Sequence, residues 1–222
     1  MTRPHYTLNP QGGTHALLVR LVAPGSRVLD VGCATGYLGE LLAAKECVVV
    51  GIEADPEAAR LARSSGAYQA VYEIDLDDAT SSLPTGAFDV VLCADVLEHL
   101  RDPPGTLRRL HPMLAEDGQL VVSLPNVAHL SVRLQLLAGH FRYTERGILD
   151  RTHLHFYTYE SARALIEGSG LRVESVFAGS NRFGDIVSFG PSPVRRLRGL
   201  LAFNIVLVAR PTHRVSPDYR SH

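Results

Sequence analysis

Residues Val28–Gly36 read VLDVGCATG, an apolar strand that carries an acid near its end and turns through glycines into a helix. The helix is predicted to begin near Tyr37. Such a turn sets unpaired backbone N–H groups and the carboxylate of Asp30 at the carboxyl end of a strand, where open α/β sheets bind nucleotide-like ligands. The stretch therefore predicts a ligand site at that edge of a mainly parallel sheet.

Two further segments place acids at later strand ends. GIEAD puts Glu53 after a second strand, and EIDLDD puts Asp75 after a third. A carboxylate accepts two hydrogen bonds, so an acid at a strand end suits a vicinal diol such as a ribose. Because the carboxyl ends of parallel strands meet at one edge of a sheet, the three segments predict a single shared site.

The composition favours one class of protein and argues against others. The 222 residues suffice for one domain with a full core, and the net charge of −1 argues against a general nucleic-acid binder. Polar residues interrupt the amino terminus, so no signal peptide is predicted, and the longest apolar run is too short to span a bilayer. Three cysteines without a CxxC pair predict a soluble, cytoplasmic protein with no disulfide framework.

Strands alternate with helices along the chain, which is typical of an α/β protein with a parallel sheet covered on both faces. The predicted strands are 27–31, 48–52, 70–74, 88–93, 119–124, 171–178 and 201–209. The predicted helices are 14–22, 37–44, 56–64, 103–114, 132–137 and 158–168. The last two strands are expected to close the sheet as an antiparallel hairpin.

Five segments together resemble the motifs of class I S-adenosylmethionine-dependent methyltransferases. They are LDVGCATG, GIEAD, DLDD, FDVVLCADVLEHL and AEDGQLVVSLPN, and the resemblance extends from Thr14 to Arg210. It implies a Rossmann-like, seven-stranded, mostly parallel sheet in the order 3-2-1-4-5-7-6, with helices on both faces and an antiparallel last strand. It also implies S-adenosylmethionine as cofactor, contacted by Tyr6, Asp30, Gly32, Cys33, Ala34, Gly36, Glu53, Ala54, Asp75, Leu76, Ala94 and Asp95.

The resemblance also implies a division of the chain and of the cofactor site. The glycine turn would hold the methionine part, Glu53 the ribose hydroxyls, and Asp75 with Leu76 the adenine. A flexible amino-terminal flap at 1–13, which includes Tyr6, would fold over the cofactor. The methyltransferase domain would span 14–210 with an acceptor-binding insert at 125–158, and a disordered tail would follow at 211–222.

A nicotinamide-dependent oxidoreductase is the alternative from another enzyme class, because an acid about twenty residues past a glycine turn also marks NAD sites. Two features oppose it: the glycine spacing differs from G-x-G-x-x-G, and Asp30 would repel a pyrophosphate. A cofactor-binding protein without turnover is the third alternative. The intact histidines and arginines of the later segments argue against it.

The segment after the fourth strand carries the predicted chemistry. In ADVLEHL, the side chains of Asp95, Glu98 and His99 would share one face of a helical turn, and ILDRTHLHFYT adds His153. This arrangement resembles the metal site of small-RNA 2′-O-methyltransferases and, more loosely, of ubiquinone-pathway O-methyltransferases, with Asp95 in place of the usual Glu. His99 and His153 are therefore the catalytic candidates.

Three roles stay open for this cluster. Its four side chains would bind a divalent cation such as Mg²⁺ at the acceptor oxygen. Without a metal, a histidine would act as the acid–base group for the acceptor hydroxyl. In the purely structural alternative, His99 packs under the sheet and Asp95 caps a helix.

The insert is rich in groups suited to binding an acceptor. The predicted substrate contacts are His129, Arg133, Arg142, Tyr143, Arg151 and His155. The arginines would clamp a carboxylate or phosphate. A lid helix at 132–137 is expected to direct its leucines into the core.

The insert also resembles a bacterial subgroup found beside polysaccharide and natural-product assembly genes, which implies a sugar, polyketide-like or modified-peptide acceptor. The sequence thus predicts O-methylation of a hydroxyl or carboxylate in a small-molecule or peptide metabolite. N-methylation of an amino sugar or peptide is the alternative within the class. A monomer or homodimer is expected, with no nucleic-acid partner and no membrane span.

Overall fold

An eight-stranded sheet forms the centre of the computed structural model, which describes residues 13–179, 187–188 and 199–212. The strands are β1 (Arg27–Val31), β2 (Val48–Glu53), β3 (Ala70–Glu73), β4 (Phe88–Ala94), β5 (Leu114–Pro125), β6 (Leu171–Gly179), β7 (Val187–Ser188) and β8 (Asn204–Pro211). The helices are α1 (Thr14–Leu21), α2 (Tyr37–Ala43), α3 (Pro56–Ser64), α4 (Pro103–Leu110), α5 (Leu130–Leu137) and α6 (Tyr159–Glu167).

The strand order is β3-β2-β1-β4-β5-β8-β6-β7. The strands from β1 to β5 pair in parallel, whereas β8 runs antiparallel to both β5 and β6. The two-residue β7 is an addition at the sheet edge, so β8 is the seventh strand of the predicted order. That order and the Rossmann-like α/β class are confirmed.

Helices cover both faces of the sheet. On one face, Leu107 of α4 and Ile166 of α6 are buried in the larger core. On the other, Leu17 of α1 and Leu42 of α2 are buried in a second core. Burying such an aliphatic side chain contributes about 1.5–3 kcal/mol, so each of these contacts stabilises its helix against the sheet.

Local chemistry explains where two helices begin and end. Asp55 accepts hydrogen bonds from two N–H groups of the first turn of α3, and Pro56 occupies its first position, so this helix begins where predicted. Helix α4 ends at Leu110, earlier than predicted. Pro112 has no N–H to continue the helical ladder, and the chain tightens into a 3₁₀ turn at His111–Met113.

The final strand is shifted relative to the prediction. A helical turn at 199–201 precedes it, so β8 begins later than expected, at Asn204, and continues through Pro211. The N–H of Thr212 then donates to the backbone carbonyl of Gly170 at 3.3 Å. Pro211 therefore belongs to the sheet, where it pairs with Leu171, and Thr212 is tied to Gly170, although the disordered tail was predicted to begin at 211.

Two predicted segments fall outside the described residues. The flap at 1–13, including Tyr6, does so apart from Gly13, and so does the remainder of the tail from 213 onward. Within the described ranges, no helix combines the length and the apolar character needed to cross a membrane.

Helix α5 contradicts the prediction that the lid leucines point into the core. Leu134 is 56% exposed and Leu137 is 84% exposed, whereas Val132 is buried. Val132 packs against Ile148 and Leu149 in a small separate cluster. The helix lies beyond the end of β5 and rests on this short segment instead of on a sheet face, so its leucines meet solvent.

This placement predicts that two substitutions in α5 differ in how much they lower the free energy of unfolding. Leu137→Ser is expected to change the free energy of unfolding by less than about 0.5 kcal/mol. Val132→Ala should lower it by about 1–3 kcal/mol, because it removes buried methyl groups and leaves a cavity. Urea unfolding of both variants checks the expectation. Equal losses for the two would show that the leucines are buried in solution.

Candidate active site

The glycine turn after β1 depends on three residues in the left-handed backbone region. Gly32 has φ +70°, Ala34 φ +47° and Gly36 φ +97°. A Cβ on Gly32 would lie 2.6 Å from a methyl carbon of Val96, so glycine is required there on steric grounds as well. Ala34 adopts a left-handed conformation that is uncommon for a residue other than glycine. Residues in such strained conformations cluster at functional sites.

The prediction that this turn presents unpaired N–H groups is wrong for its central residues. The N–H groups of Gly32 and Cys33 both donate to the carbonyl of Ile52, at 2.8 and 3.0 Å. The N–H of Ala34 donates to Glu53 Oε2 at 2.9 Å. Because β2 runs directly beside the turn, its carbonyl and carboxylate take up these donors. The turn is therefore a rigid wall of the site.

Glu53 is held in place at the end of β2. It is 6% exposed, and its second oxygen, Oε1, accepts from the N–H of Asp55 at 2.9 Å. Each carboxylate oxygen has two lone pairs, so one hydrogen bond to each still leaves acceptor capacity for the two hydroxyls of a diol. Ala54, the next residue, is exposed at the same strand end.

Asp30 lies beneath the turn, almost fully buried. Its Oδ2 accepts a hydrogen bond from the Tyr68 hydroxyl at 2.7 Å, and its Oδ1 has no partner. Burial raises the pKa of Asp30 to about 7, with the hydrogen bond from Tyr68 lowering it and the charge of Glu53 raising it. Burial followed by the charge of Asp30 also raises the pKa of the Cys33 thiol, so this thiol stays protonated.

The remaining predicted cofactor residues lie along the same edge of the sheet. Asp75 is exposed in the loop after β3, where its Oδ1 accepts from the N–H of Asp77 at 2.9 Å. Leu76 is buried, and its carbonyl accepts from the Arg109 guanidinium at 3.1 Å. Ala94 is half-buried at the end of β4. Arg109 was missed by the sequence analysis because its role depends on α4 lying against this loop.

Three potential ligands meet beside the end of β4. Glu98, His99 and His153 each offer an atom, and these atoms all lie within 4.8 Å of one another. The two imidazole rings are 4.8 Å apart between centroids and inclined by 73°. The N–H groups of Leu154 and His155 donate to the carbonyl of Glu98 at 2.8 and 3.1 Å, which fastens the insert to the turn after β4.

Glu98 is the most unusual side chain of this cluster. It is fully buried, and neither carboxylate oxygen has a hydrogen-bond partner. Burial first, and then the charges of Asp95 and Asp150, raise its pKa well above the usual range. Leaving a buried carboxyl unsatisfied is costly, so such a group in a native protein calls for a partner, and a bound cation is one that fits. The donor set of one carboxylate and two imidazoles suits a divalent transition metal.

The two histidines are oriented in the same way. His153 Nδ1 lies 3.1 Å from the carbonyl of Ile148, which only a protonated Nδ1 can satisfy. His99 Nδ1 lies 3.1 Å from the Thr152 hydroxyl, which itself donates to Asp150 Oδ1 at 2.7 Å. We therefore assign a proton to Nδ1 in both rings, which makes Nε2 the nitrogen suited to a metal or to proton transfer.

The chain also matches a known protein family. Residues 10–176 match the family described as the methyltransferase domain. The chain belongs to this family. The strand ends that carry Asp30, Glu53 and Asp95 all fall within the matched range.

Curated relatives of this methyltransferase share its sequence over most of their length. The ubiquinone biosynthesis O-methyltransferase of Xanthomonas oryzae pv. oryzae is 32% identical over 179 residues, which cover 78% of this chain and 74% of that protein. The protein of the same name from Xanthomonas axonopodis pv. citri is 31% identical over 180 residues, with the same coverage of 78% and 74%.

Solved structures of similar fold are also methyltransferases. The CcbJ methyltransferase from Streptomyces caelestis has a TM-score of 0.64 at 17% identity, covering 89% of this chain and 88% of that one. Magnesium protoporphyrin IX methyltransferase from Synechocystis PCC 6803, solved with bound S-adenosylhomocysteine, has a TM-score of 0.59 at 19% identity, covering 89% and 80%. Family and relatives together establish an S-adenosylmethionine-dependent methyltransferase and set aside the nicotinamide-dependent alternative.

In this methyltransferase Asp95 does not join the ligand cluster, contrary to the prediction. The helical turn contains only Leu97–His99, so Asp95 does not share a face with Glu98. Its backbone has φ +53°, and its Oδ1 accepts from the Ser123 hydroxyl at 2.7 Å and the Asn204 amide at 2.9 Å. Residues of β5 and β8 thus bind its carboxylate, which lies outside the group of three ligands although its charge still acts on Glu98.

The predicted substrate residues lie around the insert but do not form an arginine clamp. Arg133 donates to the carbonyl of Ala128 at 2.7 Å, and Arg151 pairs with Glu145 at 2.5 Å. Arg142 is exposed. Because protein oxygens engage two of the three arginines, this conformation does not present them together to an anion.

The histidines of the insert have separate positions. His129 caps α5, where its Nδ1 accepts from the N–H of Ser131, and burial lowers its pKa. His155 lies beside the Tyr157 ring, 6.2 Å away between centroids. Neither belongs to the cluster of Glu98, which therefore contains a single histidine from the insert.

An aromatic group that includes the predicted substrate residue Tyr143 lies next to His153. The Phe156 ring is 6.2 Å from the His153 ring and 5.7 Å from Phe141, which is itself 5.4 Å from Tyr143. Phe141 and Tyr143 are 43% and 52% exposed. Edge-to-face packing of this kind forms an apolar, aromatic wall beside the histidine.

Proposed function

We propose that this methyltransferase transfers the methyl group of S-adenosylmethionine to a hydroxyl oxygen of a small-molecule or peptide metabolite. The observation that carries the proposal is the buried Glu98 carboxyl without a partner, within reach of two imidazoles whose Nδ1 protons are directed elsewhere. Such a group suits activation of an acceptor hydroxyl. The name of the curated relatives, ubiquinone biosynthesis O-methyltransferase, supports oxygen as the acceptor atom.

The reaction is a direct displacement in which the protein forms no covalent bond to either reactant. The acceptor oxygen forms a bond to the methyl carbon as the bond from carbon to sulfur breaks, and the sulfonium becomes a neutral thioether. The protein must align the oxygen with this bond and remove its proton. In the absence of a cation, Nε2 of His99 or His153 would be the proton acceptor, because Nδ1 already carries a proton in each ring.

The three-residue cluster fits a divalent cation. Glu98, His99 and His153 would hold it, and when bound it would lower the pKa of the acceptor hydroxyl. The cluster supplies fewer ligands than the four predicted, because Asp95 is bound by Ser123 and Asn204. Open positions would therefore remain for water or the acceptor.

The aromatic wall of Phe141, Tyr143 and Phe156 favours a planar, hydroxyl-bearing acceptor such as a phenol, among the polyketide-like, modified-peptide and sugar classes that the sequence implies. We place the reaction in the cytoplasm, since all three cysteines are free thiols.

Incubation of the protein with S-adenosylmethionine and a panel of phenolic, peptide and sugar acceptors, with mass spectrometry of the products, tests the proposal. A methyl group found on nitrogen would contradict it.

Removal of metal is expected to abolish methyl transfer to the active acceptor, and addition of Mg²⁺, Mn²⁺ or Zn²⁺ to restore it. In calorimetric titrations with metal alone, His153→Gln should remove binding, whereas Asp95→Asn should leave the affinity within about threefold, because Asp95 lies outside the cluster. Full turnover in excess chelator would reject the cation and retain the histidine as base. A loss of metal affinity in Asp95→Asn equal to that in His153→Gln would return Asp95 to the ligand set.

A further inference from the structure

Tyr68 lies in the loop between α3 and β3, and its ring fills a space left by three glycines. A Cβ on Gly39 would lie 2.2 Å from the ring, one on Gly51 3.1 Å and one on Gly36 3.2 Å. No larger residue fits at Gly39 while the ring is in place. The ring thus packs directly behind the wall of the cofactor site, between the start of α2 and the strand β2.

The hydroxyl of Tyr68 connects two elements of that wall. It donates to Asp30 Oδ2 at the end of β1, and it accepts from the N–H of Gly39 at 3.1 Å. Gly39 is the third residue of α2, where backbone N–H groups lack partners within the helix. Gly36 precedes this helix and has no side chain to cap it. Tyr68 therefore serves as the missing cap and holds Asp30 at the same time.

The groups around Asp30 make its hydrogen bond with Tyr68 relevant to the binding of a cationic ligand. Among the residues that the structure describes, the titratable groups that face Asp30 are Glu53 of β2, Cys93 of β4, Cys33 of the turn and Tyr68, and the charge of Arg63 on α3 acts on Cys33. None of these four groups is a cation, and Asp30 Oδ1 is buried without a partner. S-adenosylmethionine carries a positively charged sulfonium and an ammonium group. The carboxyl groups of Asp30 and Glu53 therefore complement its charge.

We propose that Tyr68 is a positioning residue for the cofactor, whose hydroxyl holds the Asp30 carboxyl toward the cationic methionine end of S-adenosylmethionine. The inference rests on the cofactor lying at the glycine turn, and it is independent of the acceptor and of any metal. Because Asp30 titrates near pH 7, this arrangement also makes the affinity for the cofactor depend on pH near neutrality.

The direction of this pH dependence follows from the hydrogen bond. Burial raises the pKa of Asp30 to about 7, and the Tyr68 hydroxyl opposes that rise by bonding to the charged form. Burial and the charge of Asp30 raise the pKa of Tyr68 itself, so its hydroxyl keeps its proton and acts as the donor. Affinity should be high above pH 7 and fall as Asp30 is protonated. Loss of the hydroxyl should move that fall to higher pH.

The test is calorimetric titration with S-adenosylhomocysteine between about pH 5.5 and 8.5. Tyr68→Phe keeps the ring and should weaken binding about tenfold at pH 7.5, with the midpoint of the pH dependence moved upward. Asp30→Asn should remove the pH dependence. Tyr72→Phe, which deletes a hydroxyl from an exposed tyrosine of β3, should behave as the unmodified protein.

A second measurement on the unmodified protein needs no folded variant at position 68. Titrations at pH 6.5 in two buffers of different ionisation enthalpy should show release of a fraction of a proton on binding, and Asp30→Asn should abolish it. Weakening of Tyr68→Phe by the same factor at every pH, or binding without proton release, would overturn the proposal. Because no acceptor is present, these results are separate from the test of O-methylation.

Discussion

Glu98→Gln is expected to lower the turnover number about 10³-fold and to leave the affinity for S-adenosylhomocysteine within about twofold. Glutamine has the same shape as glutamate but carries no negative charge, so it cannot hold a cation or orient two imidazoles by charge. The cofactor residues at the ends of β1 and β2 are untouched by the change. Turnover with a saturating acceptor and calorimetry with the demethylated cofactor measure the two quantities.

The same variant should not lose stability. In the unmodified protein Glu98 is fully buried and its pKa is raised well above the usual range, so its charge opposes folding. The melting temperature of Glu98→Gln should therefore equal or exceed that of the unmodified protein. Glu160→Gln, an exposed change on α6, is the matched control and should alter neither quantity. Unimpaired turnover in Glu98→Gln would remove this cluster from the reaction.

Glu53→Ala is expected to weaken binding of S-adenosylhomocysteine about 100- to 10,000-fold. Hydrogen bonds to a charged group contribute about 1.5–3 kcal/mol each, and two to the ribose would be lost. The substitution also frees the N–H groups of Ala34 and Asp55, which the carboxylate now holds at 2.9 Å each. The glycine turn should then lose part of its rigidity, which adds to the loss of affinity.

The matched control for Glu53→Ala is Glu73→Ala. Glu73 ends the adjacent strand β3, but it is exposed and pairs with Arg63 at 2.6 Å. Its removal should leave cofactor affinity within about twofold, since an exposed ion pair contributes little. Affinity of Glu53→Ala within threefold of the unmodified protein would contradict the assignment of this residue to the ribose.

The elements around the cofactor edge could be predicted closely because their signals are local. Alternating strand and helix patterns, the glycine turn and the Asp55-Pro56 start of α3 all act within a few residues. The larger errors arose where the decisive partner is distant in sequence. Leucines of α5 have the apolar character of core residues, yet only packing on Ile148 and Leu149 determines that they face solvent.

The same distinction applies to the site. Glu98, His99 and His153 were predicted from residue type and strand adjacency, and the structure brings them together. Asp95 was assigned to this group because helical periodicity was assumed. Two hydrogen-bond donors from β5 and β8, remote in sequence, hold its carboxylate elsewhere.

By itself the sequence determined the strands and the acids at their carboxyl ends, because hydrophobic periodicity and turn chemistry are short-range properties of the chain. The order of the strands was implied by the resemblance to the methyltransferases. Only the tertiary structure decided which polar atoms are satisfied. It left the oxygens of Glu98 without partners, gave the turn's N–H groups to β2, and set Tyr68 against Asp30 across 38 positions of sequence. Burial and pairing depend on elements that meet only after folding, so no local pattern encodes them.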